Sequence, residues 1–180
     1  MRIVSGRYKR RIISPPNNLP VRPTTDMAKE SLFNILGNYI DFNGKTVLDL
    51  FAGTGNISFE FVSRGCGSVT AVDKDFACIK FITSTGQKLE MKELSVTKMD
   101  VFRFIEVSKG KYDIIFADPP YQLGNIKDIS SQIFEHNLLN QDGWLIVEHP
   151  GEIDLSESLH FYEHRKYGRV NFSFFHVDVE

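Results

Sequence analysis

The sequence predicts an α/β fold whose sheet is mainly parallel, has seven strands and ends in an antiparallel C-terminal hairpin. Three observations lead there. From residue 45 onward, short apolar segments alternate with stretches of helical periodicity, which implies parallel strands joined by right-handed helical crossovers. Three of the apolar segments, Val47-Leu48, Ile114-Ile115-Phe116 and Leu145-Ile146-Val147, are continuous runs, as strands covered on both faces require. The last two segments flank Gly168 with no helix between them, so they pair as a hairpin.

Taken in order, residues 1–22 alternate apolar and basic stretches and end in Ser14-Pro15-Pro16-Asn17-Asn18-Leu19-Pro20, which reads as a loop. Thr24-Thr25-Asp26 then offers N-cap side chains, and Ala28, Leu32, Ile35, Leu36, Tyr39 and Ile40 recur at helical spacing, so a helix is expected over 26–39. Strands are expected at Thr46–Phe51, Ser68–Asp73, Ser95–Met99, Tyr112–Asp118 and Trp144–Glu148, and for the hairpin at His160–Lys166 and Val170–Val177. Helices are expected at 56–64, 76–91, 101–107 and 127–137, the second irregular at Gly86 because glycine costs roughly 1 kcal/mol there against alanine. The chain divides into a basic arm and helix, residues 1–44, read as an RNA contact, and a compact catalytic unit, residues 45–180.

Composition narrows the class. The chain has 180 residues, 42% of them apolar and 24% charged, which excludes global disorder and collagen-like repeats. No apolar run approaches the ~20 residues of a membrane span, and the N-terminal stretch lacks the apolar core of a signal peptide. Cys66 and Cys78 stand apart with no cluster of metal ligands near them, so neither zinc nor disulfide chemistry is expected and the cytoplasm is the expected address. The net charge of −2 conceals an asymmetry: residues 1–22 hold Arg2, Arg7, Lys9, Arg10, Arg11 and Arg22 and no acid. A basic arm on an acidic body suits an anionic partner such as nucleic acid, and equally a solvated terminus.

Asp49-Leu50-Phe51-Ala52-Gly53-Thr54-Gly55-Asn56 ends the first strand of the alternating region and opens a helix. Gly53 and Gly55 let the backbone turn sharply and approach a ligand, while Ser58 stands where a dinucleotide fingerprint wants a third glycine. Asp73, at the end of the next strand, lies at the distance that grips a ribose diol. Asp49 can accept from a cationic amine but repels a pyrophosphate, so the loop suits S-adenosylmethionine better than NAD. Asp100, followed by Val101 and Phe102, can accept from an adenine amino group with an apolar side chain against the ring, or simply cap a helix.

After the fourth strand comes Asp118-Pro119-Pro120-Tyr121. The prolines remove two backbone donors and leave carbonyl acceptors, Asp118 adds another acceptor, and Tyr121 offers a face for stacking a base. An acceptor-only site matches an exocyclic amine. Its lone pair is delocalised into the ring, and acceptors that hold its protons out of plane favour the pyramidal nitrogen that attacks a methyl group.

These two loops resemble those of amino-methyltransferases that act on nucleobases. More narrowly, Met1–Gly6, Arg22–Asp26, Ser31–Asn34, Leu48–Gly55, Ser63–Gly65, Asp118–Tyr121, Val147-Glu148 and Tyr167-Gly168 together resemble the bacterial RsmD family. That resemblance implies a Rossmann-like S-adenosylmethionine methyltransferase fold and methylation of guanine N2 in 16S ribosomal RNA, within a small-subunit ribonucleoprotein particle, with no metal and no membrane. It implies a cofactor pocket of Asp49, Phe51, Gly53, Thr54, Gly55, Asp73, Asp100 and Val101. Asp118 and Pro119 would then hold the guanine amine and Tyr121 would stack on the base, with Pro120 completing the catalytic set, while Arg2, Arg7, Arg22 and Thr25 meet RNA phosphates or order the loop over the cofactor, with Lys9, Arg10 and Arg11 beside them. Two other readings stay open. A DNA adenine-N6 or cytosine-N4 methyltransferase uses the same loop but needs a larger recognition domain, and a non-catalytic RNA-binding assembly protein needs no such loop.

Overall fold

A computed structural model describes residues 1–17, 19 and 25–178. In chain order the elements are α1 (Asp26–Tyr39), β1 (Thr46–Leu50), α2 (Asn56–Ser63), β2 (Ser68–Asp73), α3 (Phe76–Lys88), β3 (Leu94–Lys98), α4 (Val101–Val107), β4 (Tyr112–Ala117), α5 (Lys127–Glu135), β5 (Leu139–His149), β6 (Phe161–Tyr167) and β7 (Val170–His176). They form a seven-stranded sheet in the order β3-β2-β1-β4-β5-β7-β6. Pairing is parallel from β3 through β5 and antiparallel at β5–β7 and β6–β7, so the expected hairpin closes the sheet.

Alternation along each strand divides the core. Val47, Ile114, Trp144 and Ile146 pack with Leu32, Phe33, Leu36, Phe59, Phe61 and Ile82 of α1, α2 and α3. Leu48, Leu50, Ile115, Leu145 and Val147 pack with Val101, Ile105, Ile129 and Ile133 of α4 and α5. Both faces are therefore dry, as the unbroken apolar runs require.

Two expectations are corrected. β5 begins at Leu139 rather than at Trp144, because Leu139 pairs with Tyr112 across a bulge before the regular register resumes. The polar stretch Asn140-Gln141-Asp142 hides this extension from periodicity. Gly86 does not disturb α3, which runs through it to Lys88. A Cβ there would stand 3.0 Å from Leu94 Cδ2, so the missing side chain lets β3 pack closely.

The N-terminal segment is folded onto the sheet's helical layer. Ile3 N–H donates to the Arg11 carbonyl, Arg10 N–H to that of Ile3, and Arg2 bridges to Ile12, making a small hairpin. Ile3 and Ile13 are buried in the same core as α1 and α2. Gly6, at φ +78°, lies against the last turn of α2, where a Cβ would meet the Ser63 carbonyl oxygen at 1.7 Å. Arg7 N–H donates to that carbonyl, and the Ser63 hydroxyl donates to the Ser5 carbonyl while accepting from Tyr8 N–H.

A buried charge cluster holds the segment from the other side. Lys29 and Glu60 have fully buried side chains 3.4 Å apart. Lys29 Nζ also donates to the Arg2 carbonyl and, at 2.8 Å, to Asn56 Oδ1 at the start of α2. Glu60 accepts from the backbone N–H groups of Val4 and Ser5 and from Arg64 Nε at 2.9 Å. Cys66 and Cys78 are buried free thiols, both pushed up to about 12 by burial.

Candidate active site

The strand order turns between β1 and β4, because their crossovers leave in opposite directions. In an open α/β sheet the crevice at the carboxyl ends of such strands is where ligands bind. Here that crevice collects carboxyl groups.

The loop after β1 carries three residues in the left-handed region, Phe51 at φ 60°, Gly53 at 54° and Gly55 at 74°. Gly55 caps α2, and a Cβ on it would lie 2.9 Å from Ile82 Cγ1 and 3.0 Å from Phe59 Cε2, so the turn is closed to any side chain. Gly53 N–H donates to Asp73 Oδ2 at 2.8 Å, and Asp75 N–H donates to Asp73 Oδ1 at 2.8 Å. Asp73 thus ties the loop to the end of β2 while its oxygens retain further acceptor capacity, and Asp75, not Asp73, caps α3. Asp100 Oδ1 caps α4 through Phe102 and Arg103, with Val101 buried beside it. Asp49 is buried one residue before the end of β1, and burial pushes its carboxyl up to about 7 against the pull of the Ser58 hydroxyl, which donates to it. Ser58 therefore replaces the third glycine with a function of its own.

Asp49, Asp73 and Asp100 stand at or near the ends of adjacent strands, with Phe51, Gly53, Thr54 and Gly55 between the first two. Such a row of acceptors fits a ligand with a cationic amine, a ribose diol and an adenine amine. It does not fit an anionic pyrophosphate. On the chemistry of its donors and acceptors, the cleft matches S-adenosylmethionine.

The second loop adjoins it. Asp118 N–H donates to the Leu50 carbonyl at 3.3 Å, which seats Asp118 beside β1. Ala117 is in register with Val147, so Asp118 and Glu148 follow on neighbouring strands, and with Asp49 they share the parity of the residues facing α1 and α2. Asp118 is half-buried, Pro119 is buried, and Pro120 and Tyr121 are exposed. Burial, the Glu148 and Asp49 charges, and a hydrogen bond to Glu148 all hold the Asp118 carboxyl well above its ordinary value. Tyr121 Oη donates to Glu148 Oε1 at 3.0 Å.

The arm residues lie elsewhere. Arg2 pairs with Asp26 and Glu30 at the start of α1, whose N-cap is Thr25 through a bond from Ala28 N–H. Arg7 is bound to Glu93 ahead of β3 and lies over the Tyr8 ring, and Lys9, Arg10 and Arg11 are exposed at and beside the hairpin turn. Contacts at Ser63 and Glu93 put this turn at the end of the sheet opposite Asp118. Arg22 lies outside the described residues. Among the described residues there is no cluster of metal-ligating side chains and no helix long and apolar enough to cross a membrane. Sequence reasoning missed Lys29 and Glu60, whose signal is a charged residue set in an otherwise apolar helix face, and gave Ser58 no partner.

Residues 1–176 match the family model described as conserved hypothetical protein 95. YlbH of Bacillus subtilis is 37% identical over 163 residues, covering 88% of each chain. Ribosomal RNA small subunit methyltransferase D of Escherichia coli K12 is 30% identical over 148 residues, 82% of this chain and 71% of that one. The solved structure of yhhF from Escherichia coli superposes with a TM-score of 0.85 at 24% identity, over 100% of this chain and 99% of that one. The chain belongs to the conserved hypothetical protein 95 family, the RsmD family of methyltransferases.

Proposed function

We propose that this chain transfers a methyl group from S-adenosylmethionine to the exocyclic N2 of a guanine in 16S ribosomal RNA, within a small-subunit particle in the cytoplasm. The observation that carries it is the Asp118–Tyr121 loop, with its carboxyl and Pro119 carbonyl acceptors, seated beside the Gly-x-Gly turn, in a chain related to ribosomal RNA small subunit methyltransferases. A fold neighbour, the 16S rRNA N2 G1207 methyltransferase RsmC of Thermus thermophilus in complex with AdoMet and guanosine, has a TM-score of 0.72 at 18% identity and supports the architecture alone.

When bound, S-adenosylmethionine supplies an electrophilic methyl on a sulfonium. Asp73 accepts from its ribose, Asp100 from its adenine amine, and Asp49 from its amino group, with Val101 against the ring. Asp118 works in its ionised form: a carboxylate oxygen accepts one N2–H and draws the nitrogen lone pair out of the ring, and the carbonyl of Pro119 takes the other. As the new bond forms, the nitrogen becomes cationic and one proton passes to Asp118. Such preorganised acceptors need no reorientation as charge develops. Tyr121 stacks on the base, and the arm cations Arg2, Arg7, Lys9, Arg10 and Arg11, together with Arg22 and Thr25, meet RNA backbone.

The test is incubation with radiolabelled S-adenosylmethionine and, in parallel, small-subunit particles from cells lacking the protein, naked 16S RNA, and DNA. Label recovered as N2-methylguanosine from the ribosomal RNA is the expected result. Label in DNA, or on a ring nitrogen or ribose oxygen, would refute it.

A further inference from the structure

We propose that Glu148 selects the base: its carboxylate accepts the ring N1–H of a guanine whose N2–H is held by Asp118. This inference rests on the guanine-N2 reading above and assigns the residue that enforces it.

Three observations place Glu148 for this. The β4–β5 register sets it beside Asp118, one strand spacing away, which is ~4.8 Å. Both project to the same face of the sheet, toward the side on which Asp49 stands. Glu148 is 6% exposed, its Oε1 accepts from Tyr121 Oη, and its charge helps hold the Asp118 carboxyl above its ordinary value. Two carboxyl groups thus stand side by side on adjacent strands beside a phenol.

The chemistry of the bases supplies the match. Guanine carries an amine and, on the adjacent ring atom, an N–H donor. Adenine and cytosine carry the amine beside a ring nitrogen lone pair, and uracil carries no amine. Two acceptors side by side complement two donors side by side. On docking, N2–H meets the Asp118 carboxylate and N1–H meets that of Glu148. Adenine in the same pose would turn a lone pair toward the Glu148 carboxylate, and a buried acceptor without its donor is how polar sites reject near-isosteres.

The probe pair is guanosine and 2-aminopurine riboside, which keeps the N2 amine but has a lone pair at N1, with adenosine as a third ligand. Binding of each is measured by calorimetry or saturation-transfer NMR, with the protein saturated by S-adenosylhomocysteine. The wild type is expected to prefer guanosine by at least ~10-fold, on the scale of one charge-assisted hydrogen bond. Glu148→Gln should shrink the preference to within about threefold, because its amide N–H can face the 2-aminopurine lone pair. Tyr121→Phe should weaken both ligands and keep the ratio, which separates base reading from support of the phenol. Glu148→Asp, which keeps the charge, should retain the direction of preference. An unchanged ratio in Glu148→Gln, with cofactor-product affinity intact, would overturn the assignment. Wild-type preference for adenosine over guanosine would instead overturn the guanine reading itself.

Discussion

Replacing Glu60 by Gln should destabilise the protein far more than replacing its partner Lys29 by Met. Both side chains are fully buried, so each charge depends on its neighbours. Glu60 serves four donors: Val4 N–H and Lys29 at Oε2, Ser5 N–H and Arg64 at Oε1. A glutamine in either orientation turns its NH2 against one of the two backbone N–H groups. It also leaves Lys29 buried with no counter-charge. Breaking a buried pair this way costs about 3–5 kcal/mol. Lys29→Met leaves Glu60 compensated by Arg64 at 2.9 Å and two backbone donors, and takes the Lys29 donor from the Arg2 carbonyl and Asn56 Oδ1. Its cost should be about 1–3 kcal/mol, part of it offset because burial already disfavours the Lys29 cation. Urea unfolding of both single variants and the double variant measures this, with the double costing less than the sum of the singles. A Lys29→Met variant as destabilised as Glu60→Gln, or simple additivity, would refute the reasoning.

Four other outcomes are expected. Asp118→Ala should lower kcat by ~10²–10³ while S-adenosylmethionine affinity stays near normal, as equilibrium binding and single-turnover methylation will show. Because the Asp118 carboxyl is held high by burial, Glu148 and Asp49, its working ionised form appears only as pH rises through that raised value, so the single-turnover rate should climb with pH. In Glu148→Gln the acidic limb should move to lower pH, and a limb that stays put would remove the coupling. Asp73→Ala should weaken S-adenosylhomocysteine binding by roughly 2–4 kcal/mol in calorimetry, since it loses a charged acceptor and releases the Gly53 N–H. Changing Arg7, Lys9, Arg10 and Arg11 together to Ala should flatten the slope of log K against log salt for RNA binding by ~0.7–0.9 per true contact, with cofactor affinity unchanged; overlapping slopes would leave the arm as a structural clasp.

The strand and helix alternation was readable because both sheet faces are buried, so hydrophobic runs and glycine turns mark nearly every element. The expected helix over 26–39 matches Asp26–Tyr39, and Ser68–Asp73 is recovered as read. The early part of β5 escaped because Asn140, Gln141 and Asp142 are polar and break the apolar run, their strand pairing being carried by backbone while Asn140 and Asp142 bind Asp113 and His176 through their side chains. The two site loops were readable for a similar reason: the chemistry needs glycine, proline and carboxylate at fixed spacing. The seating of the arm was not. Its basic residues announce an anionic partner, whereas its attachment runs through backbone groups of Val4, Ser5 and Arg7 to Glu60 and Ser63, and backbone donors leave no trace in composition. Arg7, read as a cation for RNA phosphates or for ordering the loop over the cofactor, is bound to Glu93.

The strand order also governs how the chain comes together. β1 pairs on one side with β2, Thr46 against Ser68, and on the other with β4, Val47 against Ile114. A growing chain can therefore close the β1–β2–β3 half while β4 is still unmade, leaving one edge of an apolar central strand open. Long-range parallel pairing of that kind is intrinsically slow. An open, unpaired edge is also a template for joining other chains. Docking of β4 on β1 is thus the step that both brings the two candidate loops together and closes the open edge of β1.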